Sequence, residues 1–242
     1  MFFFKRLCAK ALRLISRNLT IMSDYLYEKS YKLFPWTALN KIDQKLAKEL
    51  PKILNQKTFF VEVGANNGIK QSNTYFLESI YGAKGLLIEA SPSNYEKCLK
   101  NRSSENIFEH CALVAFDYKL PYLELIYSDL MTVTTDSTDV NSLKHATKGL
   151  KYFDGKNYNF FAPAKTLSTI LKKNNIQTVD LLSLDLEGYE LQALKGLDFE
   201  SFLIKNIVVE ARNIKDIDIY LSKYNYFLKK KLTHHDYLFC KK

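Results

Sequence analysis

The sequence predicts an α/β protein with a doubly wound, mainly parallel sheet, an antiparallel closing strand and an N-terminal helical extension. Two apolar runs, at residues 59–63 and 86–88, are typical of buried strands, and a Gly-x-x-x-Gly turn at residues 64–68 follows the first. Strand and helix patterns then alternate, which is typical of a parallel sheet covered by helices on both faces. A chain of 242 residues is long enough for one such domain and an extension.

The first half of the chain contains the start of this pattern. Residues 24–54 have a largely helical pattern that Pro51 interrupts. The first strand leads through the glycine turn to a crossover helix at 72–81, which Gly82 ends. A second strand at 85–90 is followed by a helix that starts with Pro92 at its first position and runs to residue 100.

The second half continues with shorter elements. We expect strands at 107–114, at 123–127, paired as a hairpin with the segment before it, and at 158–162. Thr166 caps a helix that runs to residue 173, and a strongly apolar strand at 179–184 ends at Asp185. A helix at 187–195, a strand at 207–209 and an antiparallel pair formed by 224–229 and 237–240 complete the sheet. The polar stretch 128–157 has no core periodicity, and we expect it to be a lid over the substrate.

Acidic residues stand where an open α/β sheet binds ligands. Glu89, Asp185 and Glu210 are at the carboxyl ends of predicted strands, and Glu62 is inside the first strand. The glycine spacing differs from the Gly-x-Gly-x-x-Gly turn of dinucleotide binders, which disfavours a nicotinamide-dependent oxidoreductase. An acid within the first strand instead suits a cationic ligand such as S-adenosylmethionine. In the competing interpretation, these acids bind no ligand and only complement the dipoles of nearby helix N-termini. This interpretation suits Glu187 best and Glu62 least.

Charge and cysteine content exclude several classes of function. The net charge is +9, but five basic residues precede the first acid, so the remaining chain carries only +4, and no nucleic-acid partner is expected. The four cysteines, at positions 8, 98, 111 and 240, are far apart, which indicates neither a disulfide framework nor a zinc site and fits a cytoplasmic location. His234 and His235 would point to opposite faces of a strand, so no metal site is predicted.

The N-terminal residues 2–22 form an amphipathic basic pattern. Five bases interrupt the apolar run, so it cannot be a clean membrane span, and it lacks the long apolar core of a secretory signal. A helix there would either pack its apolar face on the domain or a second subunit, which we favour, or lie on anionic lipid as a peripheral membrane contact. We divide the chain into an extension at residues 1–50 and a domain at residues 51–242, and leave the oligomeric state open.

Two groups of motifs resemble FkbM-type methyltransferases. The first group is Val-Glu-Val-Gly-Ala-Asn-Asn-Gly at 61–68, Ser-Asn-Thr-Tyr-Phe-Leu-Glu at 72–78 and Gly-Leu-Leu-Ile-Glu at 85–89. The second is residues 180–191, which contain Asp185-x-Glu187-Gly188-x-Glu190 and are similar to the family's Asp-x-Glu-Gly-x-Glu signature. The resemblance covers residues 55–230 and implies a Rossmann-like fold, dependence on S-adenosylmethionine and methylation of hydroxyls on sugars or polyketide-type rings.

The resemblance also implies roles for individual residues. The methionine part of the cofactor is expected at Glu62, Gly64, Ala65, Asn66 and Gly68, and the ribose hydroxyls are expected at Glu89, beside Ala90. His110 to Ala112, with Cys111 and Ala112 in contact, should flank the adenine. Asp185 and Glu187 should face the transferred methyl and the acceptor, so that Asp185 serves both the cofactor and catalysis, with Glu187 at a helix N-terminus.

These observations favour an O-methyltransferase that acts on a sugar, glycan or other small molecule. A nucleic-acid methyltransferase is the first alternative, although the Asn/Asp-Pro-Pro-Tyr motif of base amino-group methylation is missing. A non-catalytic protein that binds the cofactor is the second. His145, in the polar stretch, is a competing candidate for the catalytic base, but a solvated loop histidine is the more common situation.

Overall fold

A computed structural model describes residues 33–127, 133–134 and 158–242, together with single helical positions at Met22, Leu26 and Ser30. The expected N-terminal helix at 2–22, apart from Met22, lies outside the described residues. The same holds for most of the expected lid at 128–157, including His145. Among the residues that are described, no helix combines the length and apolar character needed to cross a membrane.

Thirteen strands and six α-helices are seen in the described ranges. The strands are β1 Phe59–Val63, β2 Lys84–Glu89, β3 Ile107–His110, β4 Ala112–Leu113, β5 Tyr122–Tyr127, β6 Val133–Thr134, β7 Tyr158–Lys165, β8 Thr178–Val179, β9 Leu181–Leu184, β10 Leu203–Ile204, β11 Asn206–Glu210, β12 Tyr226–Lys231 and β13 Asp236–Lys241. The helices are α1 Ile42–Glu49, α2 Tyr75–Tyr81, α3 Pro92–Asn101, α4 Leu167–Lys173, α5 Glu190–Leu194 and α6 Ile214–Ser222. Short 3₁₀ turns at Leu39–Lys41 and Pro51–Ile53 flank α1.

The main sheet has seven strands in the order β12-β13-β11-β9-β1-β2-β3. All adjacent pairs from β3 to β11 are parallel, whereas β13 runs antiparallel to both β11 and β12. The predicted fold class and its closing antiparallel pair are therefore confirmed. The chain leaves β1 toward β2 on one side and reaches β9 on the other, so the strand order reverses beside β1. Such a switch point opens a crevice at the carboxyl ends of the strands.

Both faces of the sheet are buried, which explains the uninterrupted apolar strands. Val61 and Val63 face one hydrophobic cluster, which also includes apolar residues of α4, α5 and α6. Phe60 faces the other cluster, which includes Ile42 and Leu46 of α1 and residues of α2 and α3. The helix α1 thus packs as part of the sheet domain, although the division predicted at residue 50 assigns it to the extension.

A second sheet has the strand order β4-β7-β5-β6. The single strand expected at 107–114 is split, because β3 pairs with β2 in the main sheet whereas β4 pairs with β7. The hairpin expected between β5 and the preceding segment is wrong, since β5 pairs antiparallel with β6 and β7. The physical reason is a separate apolar cluster of Ala112, Val114, Leu123, Leu125 and Ala162, which β4, β5 and β7 of the second sheet bury together.

Candidate active site

A cleft opens at the carboxyl ends of β1, β2 and β9, and the predicted site residues converge on it. Its lining includes Glu62, Gly64, Ala65, Asn66, Glu89, Ala90, Cys111, Ala112, Asp185 and Glu187. Gly68 is not part of the lining, so its expected contact with a ligand is not supported by its position. His110 also lies outside the lining, where its ring packs 5.2 Å from that of Tyr95 and its Nε2 is 2.9 Å from the carbonyl oxygen of Ala90.

The two glycines of the turn are required by close approach and by backbone conformation. Gly64 has φ +80°, and a Cβ atom there would lie 2.1 Å from the carbonyl oxygen of Asp185. Glycine at this position therefore lets β9 run directly against the turn. Gly68 has φ +84°, and its Cβ would lie 2.7 Å from Cγ of Arg102. The role of Gly68 is thus to let a buried arginine pack beneath the turn.

The carboxylate of Glu62 is engaged by the protein itself. It accepts hydrogen bonds from the Ser72 hydroxyl at 2.8 and 2.9 Å, the Asn73 N–H at 2.8 Å, the Thr74 hydroxyl at 2.7 Å and Arg102 Nη1 at 3.2 Å. These bonds hold residues 72–74 in a turn, so α2 begins at Tyr75 and not at residue 72 as predicted. Glu62 thus shapes the floor of the cleft, and its direct contact with a cofactor stays a prediction.

Glu89 is arranged to bind hydroxyl groups. One of its carboxylate oxygens accepts the Asn66 N–H and the other accepts the Ser91 N–H, both at 2.7 Å. Burial raises the pKa of Glu89, while these backbone donors act in the opposite direction. Each oxygen keeps a further lone pair, so a ribose diol can donate to both oxygens at once.

Three carboxyl groups meet where β9 and β11 end. One oxygen from each of Asp185, Glu187 and Glu210 lies within 4.8 Å of the others, a spacing that allows the groups to share a proton or a divalent cation. Asp185 is exposed at the cleft, but the protein around its carboxyl group displaces much of the water. This desolvation, followed by repulsion from Glu210, raises the pKa of Asp185 well above its ordinary range. Burial, followed by repulsion from Glu210, raises the pKa of Glu187 to about 7.

The turn after β9 explains the spacing of the acidic signature. Glu187 has φ +52° and Gly188 has φ +105°, so the chain turns sharply between the two outer acids. Glu190 is buried and accepts the N–H groups of Leu186 at 2.9 Å and Gly188 at 3.0 Å. The helix predicted to start at 187 therefore starts at Glu190. Glu187 is consequently not at a helix N-terminus, as expected, but in a strained turn that directs it toward the cleft.

Several residues near the cleft were not predicted as site residues. Arg212 donates from Nη2 to Glu187 at 3.1 Å, and its buried Nη1 has no hydrogen-bond partner in the described part of the chain. Asn73, Asn94, Ser183 and Tyr189 also line the cleft. Glu210 was recognisable from the sequence, because it ends the strand next to β9. The asparagines give no such signal, since their position depends on which elements pack together.

The pair His234-His235 has a different setting from the one predicted. Both residues lie in the connection between β12 and β13 and not on a strand, so the argument from alternating strand faces was wrong. His235 accepts the N–H of Ala211 with its carbonyl oxygen, as the turn passes β11. Glu210, one of the three clustered carboxyls described above, ends β11 and pairs in register with Asp236, the residue after His235.

Comparisons with known proteins agree with the motifs. A family model described as the methyltransferase FkbM domain matches residues 62–231. The methyltransferase sdnD of Sordaria araneosa is 26% identical over 176 residues, which cover 65% of this chain and 67% of that protein.

Solved structures give weaker matches. The methyltransferase FkbM of Methylobacillus flagellatus KT has a TM-score of 0.45 at 14% identity and covers 77% of this chain and 44% of that one. The M. capricolum TrmK, solved with S-adenosyl-homocysteine, has a TM-score of 0.43 at 12% identity and covers 80% of this chain and 65% of that one. The chain spans less than two thirds of the length of these two structures. The family model, which matches well over half of the chain, carries the assignment: the protein belongs to the FkbM methyltransferase family, with S-adenosylmethionine as its cofactor.

Proposed function

We propose that the protein transfers a methyl group to a hydroxyl of a sugar, glycan or other small molecule. The observation that carries this proposal is the group of three carboxyls at the ends of β9 and β11. Two of them, Asp185 and Glu187, line the cleft itself. Carboxylates accept hydrogen bonds from hydroxyl groups and can take the proton that a hydroxyl must lose when it is methylated.

The polar groups of the cleft suit the polar groups of the cofactor. Glu89 has two oxygens with free lone pairs for the ribose hydroxyls, and the Gly64 turn leaves backbone close to the ligand without an intervening side chain. Cys111 and Ala112 supply a small apolar wall for a flat base. The bound cofactor supplies a methyl group already activated by a sulfonium, so the protein has to align the acceptor and accept its proton.

Glu187 is the base that the electrostatics favour. Its pKa of about 7 places it near the working pH, where a general base is most effective. Arg212 holds one of its oxygens at 3.1 Å, which leaves the other to orient an acceptor hydroxyl. Burial and the neighbouring Glu210 raise the pKa of Asp185, because a further negative charge in this small space is costly. In this arrangement Asp185 orients the cofactor and the acceptor hydroxyl by hydrogen bonding, and Glu187 takes the proton.

The same charges select the class of acceptor. A nucleic acid carries a phosphate every few ångströms, and it would bring this backbone to the group of carboxyls. A neutral polyhydroxylated molecule meets no such repulsion, and its hydroxyls are hydrogen-bond donors for Asp185 and Glu187. The acidic edge of the cleft therefore supports a sugar-like acceptor over a nucleic acid.

The test is methyl transfer from labelled S-adenosylmethionine to a panel of sugars, nucleotide sugars, phenols and tRNA. Asp185→Asn and Glu187→Gln keep the side-chain shapes and should lower turnover on the best acceptor by about 100-fold or more, with less than threefold change in affinity for S-adenosyl-homocysteine. Glu105→Gln, an exposed acid paired with Lys84, is the matched control and should leave turnover unchanged.

Three results would overturn the proposal. Transfer to tRNA alone would show that the acceptor class is wrong. Wild-type turnover by both variants would place the base elsewhere, and His145 would be the next residue to replace. Cofactor binding without transfer to any acceptor class would favour a non-catalytic role. Parallel assays with EDTA and with added Mg²⁺ decide whether a cation or a shared proton joins the three carboxyls.

A further inference from the structure

Two asparagines at opposite ends of the cleft have side-chain polar atoms that no described residue hydrogen-bonds, namely Oδ1 of Asn73 and the amide of Asn94. Asn73 is 7% exposed, and its buried Oδ1 accepts no hydrogen bond from any residue that the structure describes. Asn94 is 3% exposed, and within the described chain its side chain makes no hydrogen bond. A buried amide without a partner costs about 1–3 kcal/mol. Both residues line the cleft. A ligand donor there can remove this cost for Oδ1 of Asn73, and the amide of Asn94 is available to a ligand in the same cleft.

The position of Asn73 is fixed by two elements. Its N–H donates to Glu62 at 2.8 Å, and its Nδ2 donates to the Ser183 hydroxyl at 3.2 Å. Glu62 lies in β1 and Ser183 in β9, so Asn73 spans the switch point between these strands. Because its donor end is already used, the free end of the amide is an acceptor.

The charges beneath Asn73 favour a cationic ligand group. The guanidinium of Arg102 lies between two carboxylates, 3.2 Å from that of Glu62 and 2.7 Å from that of Glu78. The side chain of Arg102 is 0% exposed, that of Glu62 is 5% exposed and that of Glu78 is 14% exposed. One positive and two negative charges leave this buried group with a net charge of −1. An ammonium placed above it is attracted by that charge and can donate to Oδ1 of Asn73.

Asn94 lies at the other end of the cleft. It is in the first turn of α3, five residues after Glu89, and β2 pairs with β3 at Glu89 and His110. The strand order places β2 and β3 on the side of β1 away from β9. Asn94 is therefore near the carboxylate expected to bind ribose, where its amide has both a donor and an acceptor to offer.

We propose that these two amides divide the cofactor between them: Asn73 accepts a hydrogen bond from the methionine ammonium, and Asn94 binds the adenosine. The proposal rests on the cofactor and on the ribose position at Glu89, and it does not depend on the methyl acceptor. Neither residue was expected from the sequence, and both act by positioning the cofactor.

The experiment pairs two variants with two ligands. S-Adenosyl-homocysteine carries the amino-acid end, and 5′-methylthioadenosine lacks it. Isothermal titration should show that Asn73→Ala weakens S-adenosyl-homocysteine about tenfold or more, because the lost bond involves a charged donor, and changes the affinity for 5′-methylthioadenosine less than twofold. Asn94→Ala should weaken both ligands by the same factor, about threefold or more for a neutral hydrogen bond.

A third variant distinguishes the ammonium from the neighbouring carboxylate of the ligand. Asn73→Asp keeps the acceptor and removes the donor, and the Ser183 hydroxyl can donate to the new carboxylate. It should retain wild-type affinity for S-adenosyl-homocysteine or exceed it. Loss of that affinity would show that Asn73 serves the ligand carboxylate and would overturn the assignment.

Other outcomes also contradict the proposal. If Asn73→Ala weakens both ligands equally, its effect is on the shape of the cleft and not on the amino-acid end. If Asn94→Ala leaves 5′-methylthioadenosine unaffected, Asn94 does not bind adenosine. Melting temperatures without ligand identify a folding defect. In that case the ratio of the two dissociation constants, for S-adenosyl-homocysteine and 5′-methylthioadenosine, measured for Asn73→Asp still decides the assignment. Glu89→Ala should weaken the binding of both ligands, because both contain the ribose. If it does not, the ribose position is wrong, and this failure is distinct from a failure of the assignments of Asn73 and Asn94.

Discussion

Replacement of the buried Arg102 by methionine tests how much its ion pairs with Glu62 and Glu78 stabilise the protein beneath the cleft. Arg102 is fully enclosed, pairs with Glu62 and Glu78, donates to the carbonyl oxygen of Gly68 at 2.9 Å and lies 5.3 Å from the ring centroid of Phe60. Methionine keeps much of the volume but leaves two carboxylates without their counterion. Removal of one partner from a buried ion pair costs about 3–5 kcal/mol.

The size of this effect can be compared with a matched surface pair. For a chain of this length, 1 kcal/mol corresponds to about 2–4 °C, so Arg102→Met should lower the melting temperature by about 6–20 °C. Lys84 pairs with Glu105 at 3.0 Å, but these side chains are 48% and 66% exposed. Lys84→Met should therefore cost at most about 1 kcal/mol, because solvent screens the pair.

Thermal and urea unfolding of both variants measure the difference. Addition of Glu62→Gln to Arg102→Met removes one of the stranded charges and should recover part of the loss. Equal destabilisation by Arg102→Met and Lys84→Met, or no recovery in the double variant, would refute the idea that this buried group holds the turn at residues 72–74.

Three further predictions concern the cleft itself. Glu89→Ala should reduce the affinity for S-adenosyl-homocysteine by about 1–3 kcal/mol in isothermal titration, and unchanged affinity in a folded variant would exclude the ribose assignment. Gly64→Ala should lower both stability and cofactor affinity, because its Cβ would lie 2.1 Å from backbone, whereas Gly82→Ala, with φ +67° and its nearest atom at 3.6 Å, should cost only the strain of the left-handed conformation, about 1–2 kcal/mol. Glu187 has a folded pKa of about 7 against an ordinary value of 4.5, so the folded state keeps a proton that the unfolded chain releases, and stability should fall as the pH rises through this window by up to about 3 kcal/mol. Glu187→Gln should flatten that part of the stability profile measured by urea unfolding, and an identical slope in the variant would contradict the raised pKa.

The local pattern of the chain predicted most of the main sheet. The β1 strand at Phe59–Val63, the helix that starts at Pro92 and the Thr166 cap all occur as expected, and the Thr166 hydroxyl accepts the N–H of Thr169. These features depend on nearest neighbours in sequence, namely apolar runs, a proline that fits a first helical turn and a hydroxyl that caps one. The acids at strand ends were likewise visible, because a parallel sheet brings its carboxyl ends to one edge.

The sequence was less informative about which strands pair and where a helix begins. The strand expected at 107–114 splits because β3 pairs with β2 in the main sheet whereas β4 pairs with β7 in the second sheet. The strand β5 joins β7 because their apolar side chains are buried in one cluster of the second sheet. The helix expected at 187 starts three residues later, since the buried Glu190 takes the N–H groups that would otherwise begin it. Each of these outcomes depends on contacts between distant segments.

The sequence by itself determined the fold class, the position of the glycine turn and which acids stand at the ligand-binding edge. Only the tertiary structure decided what those acids do. Glu62 accepts hydrogen bonds from residues 72–74 and from Arg102. Burial and Glu210 of the neighbouring strand raise the pKa of Asp185, and Oδ1 of Asn73 has no partner among the described residues. The reason is physical: secondary structure follows from short-range sterics and periodicity, whereas pKa values and unpaired polar groups follow from which side chains the fold buries together.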